Sequence, residues 1–160
     1  MNQKGKIFVL SNKISIEKME KYFNPLKKIL LRSPLHSVAG KDTVLIIYTD
    51  RKTGASHSVP LRFVKDDRTL YALTQKENLW WHQIRNGAAV KIILEGKQYS
   101  GWATVYENNE KVVDEMRMMY SKFSQNSYLL NIRSNQDGTL NEDDLRSVAR
   151  DRVVIAITYS

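Results

Sequence analysis

Five short apolar, β-branched runs lie between residues 43 and 106 with only brief turns between most of them, and that spacing leaves few folds open. Val44 to Tyr48 is the first run. Ser58 to Val64 is the second, alternating Val59, Leu61 and Phe63 against Ser58 and Arg62. Thr69 to Leu73, Val90 to Leu94 and Gln98 to Tyr106 follow. Asp50 to Gly54, Asp66-Asp67 and Glu95-Gly96-Lys97 carry the turn residues that join neighbours. Connections this short join antiparallel strands, because a parallel pair needs a long crossover. Val153 to Tyr159 supplies one more strand. A set of many short antiparallel strands removes its exposed edges by closing into a barrel.

The remaining segments read as helix. Ser15 caps a helix starting at Ile16, and Asn24-Pro25 starts a second one as N-cap and first-turn proline. Leu26, Ile29 and Leu30 form its apolar face, and Ser33-Pro34 ends it. A short helix is expected from Leu79 to Arg85, with Asn86-Gly87 as its stop. Val112, Val113, Met116, Met119, Tyr120 and Phe123 keep a helical period. A polar loop from Ser134 to Asn141 follows. The length of 160 residues suits one domain. The expected layout is a single domain over 1–160, with N-terminal helices at 15–32, a barrel at 43–106, a helical segment at 110–130 and a closing strand at 153–159.

Several chemistries are excluded by what the chain lacks. It has no cysteine, so disulfides and thiolate sites are ruled out. His36, His57 and His82 have no partner at metal-ligand spacing, so no metal site is expected. There is no Gly-x-Ser-x-Gly elbow and no phosphate-binding Gly-x-x-x-x-Gly-Lys loop. Arg133 to Asp144 imitates a calcium loop, but arginine stands where the first carboxylate is needed, and Asp144 stands where bidentate glutamate is needed. No apolar run reaches about 18 residues and no secretory signal is visible, so the cytoplasm is expected and a membrane partner is not. The net charge of +8 favours anionic partners without choosing among them.

One turn combines these features with an anion-binding pattern. Arg51 offers a planar fork, Lys52 a mobile point charge and Thr53 a hydroxyl, while Gly54 permits a positive φ. Backbone N–H groups in such a turn can converge on an anion. An ordinary charged hairpin tip has the same composition. Arg51-Lys52-Thr53-Gly54, followed after a strand by Pro60-Leu61, resembles the Gly-Arg-Lys-Thr-Gly … Pro-Leu signature of the deazaflavin-dependent nitroreductase family. Trp80-Trp81-His82-Gln83-Ile84-Arg85-Asn86 resembles that family's Trp-Tyr-x-Asn-Leu-x-Ala-Asn segment. Asp50 replaces the family's glycine before the arginine, and Gln75-Lys76-Glu77-Asn78 lacks its two glycines.

The resemblance implies an α+β, mainly β fold: an antiparallel split β-barrel of the FMN-binding type with flanking helices. It implies FMN or a 5-deazaflavin coenzyme, with the phosphate at Arg51, Lys52, Thr53 and Gly54. Ser58, Val59 and Pro60 would run along the ring, and Lys76 would be a second cation. Adjacent indoles cannot serve one ring face; Trp81 is the candidate contact, and the competing expectation is that one tryptophan anchors the core. Tyr120, Phe123 and Tyr128 are candidates for a substrate pocket. No catalytic side chain is assigned. The expected function is a flavin- or deazaflavin-dependent oxidoreductase, nitroreductase-like, passing hydride or electrons to a small acceptor such as a quinone or nitroaromatic. A homodimer goes with it. The alternative is a non-enzymatic protein: a split barrel without cofactor, or a basic barrel binding nucleic acid, which the scattered cations do not favour.

Overall fold

The hairpin turns fix the architecture. Glu95 and Gly96 adopt φ values of 49° and 78°, the left-handed pair that a two-residue turn needs, so Leu94 pairs directly with Lys97. Asp67 at φ 51° does the same work after Asp66, which pairs with Thr69. The structure, a computed structural model, describes residues 42–123 and 128–160, all within the unit Lys41–Ser160. The helices expected at 15–32 lie outside the described residues.

Six strands form: β1 (Thr43–Thr49), β2 (Ser56–Asp66), β3 (Thr69–Gln75), β4 (Ala88–Leu94), β5 (Lys97–Tyr106) and β6 (Arg152–Tyr159). All pairings are antiparallel, and the order β1-β2-β3-β6-β5-β4 closes where Val44 meets Leu94. The fold is the antiparallel split β-barrel expected from the sequence. The last strand in the chain sits between the third and the fifth.

The barrel has an inner and an outer core. Val44, Ile46, Leu70, Ala72, Val90, Ile92, Ile155 and Ile157 point inward, as strand alternation requires. Val64 and Val154 belong instead to an outer layer with Val112, Val113, Met116, Met119, Leu130 and Leu145. β6 is therefore buried on both faces, which explains its unbroken apolar run from Val153 to Ile157.

The outer layer comes from two helices, α1 (Asn109–Lys122) and α2 (Glu142–Ala149). Asn108 caps α1 by accepting from the N–H groups of Glu110 and Lys111, and Asn141 caps α2 through the N–H of Asp144. α2 begins directly after the polar loop that the sequence places at Ser134 to Asn141. α1 ends at Lys122 rather than running on toward 130, and residues 128–130 make a separate 3-10 turn. The short helix at Leu79–Ile84 is also 3-10, with no side-chain cap on Asn78 and a stop at Asn86 and Gly87, where φ is 69° and 87°.

Glu115 on α1 is partly buried, and that burial pushes its carboxyl above the usual range, with Asp114 adding to the effect and Lys111 opposing it. An acid raised in the folded state loses stability as pH climbs from its unfolded to its folded value. Glu115→Gln is therefore expected to raise the thermal midpoint at pH 7 and leave it unchanged near pH 3. An equal shift at both values would mean that packing, not charge, governs the position.

Candidate functional site

The barrel opens where two strands part. β2 pairs with β1 over Thr43↔Arg62 to Thr49↔Ser56, but it pairs with β3 only over Phe63↔Ala72 to Asp66↔Thr69. β3 continues against β6 to Gln75↔Arg152. Residues 56–62 of β2 and 73–75 of β3 are thus two lips without each other. Pro60 fits such an edge because it has no N–H to give a neighbouring strand.

A cleft of about 310 Å³ occupies this opening. Pro60, Leu61 and Arg62 form one lip, and Leu73, Thr74 and Gln75 form the other. Met119, Leu129 and Leu130 supply an apolar wall, and Asn78, Asn131 and Arg152 supply polar groups. The size lies at the low end of small-molecule sites, and apolar walls with a few convergent polar groups are their usual lining. Arg62 lies with its guanidinium 5.3 Å from the Tyr128 ring centroid, and the Tyr128 hydroxyl donates to Asp42 at 3.1 Å. Neither Arg62 nor Arg152 pairs with a carboxylate among the described residues.

The tip between β1 and β2 is arranged differently. Gly54 takes the positive φ expected of it, 68°. The N–H groups of Lys52 and Thr53 and the Thr53 hydroxyl all donate to Asp50 Oδ1, at 2.9, 2.7 and 3.0 Å. These bonds, led by those from Thr53, hold the Asp50 carboxyl below the usual range. The backbone of Arg51 donates to Gln83 Oε1 at 3.1 Å, and its guanidinium donates to the Arg85 carbonyl at 2.7 Å. Arg85 in turn forks onto Glu107 and lowers that carboxyl. The tip is docked on the 3-10 helix and its converging donors face the chain's own carboxylate.

The residues singled out in the sequence are therefore spread over three places. Arg51, Lys52, Thr53 and Gly54 form the exposed tip. Ser58, Val59 and Pro60 lie on β2, with Pro60 in the cleft and Val59 packed on the inner core. Lys76 follows Gln75, its N–H donating to the Asp151 carbonyl and its own carbonyl accepting from Trp81 Nε1. Trp81 is only 4% exposed and belongs to the inner core, while Trp80 lies 5.7 Å from Tyr48. Arg62, Asn78 and Arg152 escaped notice. Arg62 was visible as a cation among the alternating residues of β2; Arg152 carried no local signal, since its place depends on which strand β6 joins.

The calcium-like segment is closed by its own residues. Asp144 accepts from the N–H and guanidinium of Arg133, and Asp137 accepts from Thr139. Among the described residues no cluster of three or more metal-ligating side chains occurs. No helix among them is long and apolar enough to cross a membrane.

No family model matches the sequence, and no curated protein matches it. Solved structures do resemble it. A structure described as a domain-swapped dimer aligns with a TM-score of 0.50 at 16% identity, covering 88% of this chain and 98% of its own. General Stress Protein 26 from Bacillus anthracis str. Sterne aligns at 0.47 and 20% identity, covering 81% and 89%. An F420 reductase aligns at 0.42 and 13% identity, covering 81% and 94%. At these identities the likeness is one of fold.

Proposed function

We propose that this chain is a flavin- or deazaflavin-dependent oxidoreductase whose cofactor sits in the split between β2 and β3. The carrying observation is the cleft itself, with Pro60 on one lip, where the family resemblance puts the ring, and with two lining arginines that have no carboxylate partner among the described residues. The residues present suit such a group: aliphatic walls for a flat ring, amides for its heteroatoms and cations for a phosphoryl tail. When bound, a reduced flavin or deazaflavin supplies hydride to a small oxidised acceptor, a quinone or a nitroaromatic.

The protein's share is placement and exclusion of water. Leu61, Leu73 and Leu129 offer faces for stacking, and Gln75, Asn78 and Asn131 offer hydrogen bonds that fix orientation. Lys76, beside Gln75, stands near the same lip as a further cation. No acid or base is required of the chain, since solvent can furnish the proton. A homodimer belongs to this reading, with exposed Leu79, Trp102 and Tyr128 as side chains that a second copy would cover.

A second reading, a split barrel without cofactor, is favoured by one observation: Asp50 fills the turn that the resemblance gives to phosphate. The visible spectrum of the purified protein separates the two, followed by titration with FMN and with a 5-deazaflavin. An absorbing chromophore, or saturable quenching of added cofactor fluorescence, supports the oxidoreductase. A colourless protein that quenches neither cofactor rejects it.

A further inference from the structure

We infer that the split holds a phosphoryl or diphosphoryl group on Arg62 and Arg152, and that the β1–β2 tip does not hold it. This deepens the cofactor reading above by moving the anion site from the turn to the cleft.

The first observation is charge without compensation. Arg62 comes from β2 and Arg152 from the start of β6, and both line one cleft. Neither has a carboxylate partner among the described residues. Tyr128 lies against the Arg62 guanidinium, which orients the fork without neutralising it. The Asp42 carboxylate nearby accepts from the Tyr128 hydroxyl rather than from Arg62. Two arginines that line one partly apolar cleft favour a multivalent anion, and the planar fork matches phosphate oxygens in pairs.

The second observation is independent and concerns the tip. Three donors there already bind Asp50 Oδ1. A phosphate would have to displace those bonds and approach a carboxylate of its own sign. Arg51 already serves the Arg85 carbonyl. The two places are well separated: six residue steps from Ser56 to Arg62 along β2 span about 20 Å. A probe can therefore tell them apart.

Inorganic pyrophosphate, titrated into the full chain and followed by amide chemical shifts and thermal midpoint, is the test. Saturable binding is expected in the wild type and in Arg51→Gln. A loss of about tenfold or more in affinity is expected in Arg62→Gln and in Arg152→Gln, with the rest of the amide spectrum unmoved. As a second readout, the wild type should prefer FMN over riboflavin, and either arginine variant should lose that preference while keeping its riboflavin affinity. Pyrophosphate that fails to bind the wild type, survives both cleft variants, or is lost in Arg51→Gln overturns the inference. Because pyrophosphate carries no ring, binding through the two arginines without any flavin or deazaflavin uptake would keep the anion site and remove only the redox reading.

Discussion

Ile155→Ala is expected to lower the unfolding free energy by about 2–5 kcal/mol, a large share of the roughly 5–15 kcal/mol that holds a domain of this kind together. Ile155 is fully buried, and its strand is clamped on both sides, pairing with Ala72 of β3 and Val105 of β5. Truncation there leaves a void in the middle of the barrel, where the surrounding strands are hydrogen-bonded and cannot close in. Urea denaturation measures it: the midpoint should fall with little change in slope. A loss under about 1 kcal/mol would mean that β6 is not the central stave, since only a collapsible or exposed site tolerates that deletion.

Gln75→Trp is expected to abolish binding of FMN and deazaflavin while leaving the thermal midpoint nearly unchanged. Gln75 ends β3, is exposed, and forms the lip opposite Arg62. An indole suits a strand position and exposed substitutions usually stay within about 0.5 kcal/mol, so the fold should accept it. A cleft of about 310 Å³ cannot hold both that indole and a three-ring cofactor. Fluorescence titration reads the result. Undiminished affinity in a folded variant would place the cofactor elsewhere on the barrel.

These two positions also show what the sequence could disclose. Local signals carried the strands: Glu95-Gly96 and Gly54 marked turns because positive φ is costly for most residues, and the structure uses them so. The run around Ile155 read as a strand, but no local rule says that β6 inserts between β3 and β5, because that pairing closes a loop of about eighty residues. Arg152 entered the cleft by that route and stayed invisible. Trp81 reads as a ring contact or as a core anchor, since an indole satisfies either, and burial at 4% places it in the core. At the tip, the motif residues were plain, yet the consequence of Asp50 was not. Its carboxylate folds back onto the N–H groups of Lys52 and Thr53, a side-chain-to-backbone competition that composition does not reveal.

The most direct test of the central claim is a crystal structure of the chain grown with FMN, or with the 5-deazaflavin if that binds more tightly. The ring should lie between Pro60 and Gln75 with its phosphoryl end within hydrogen-bond reach of Arg62 and Arg152, and Asp50 should still hold the donors of its turn. A ring seated away from the β2–β3 opening, with that opening filled only by solvent, would contradict it.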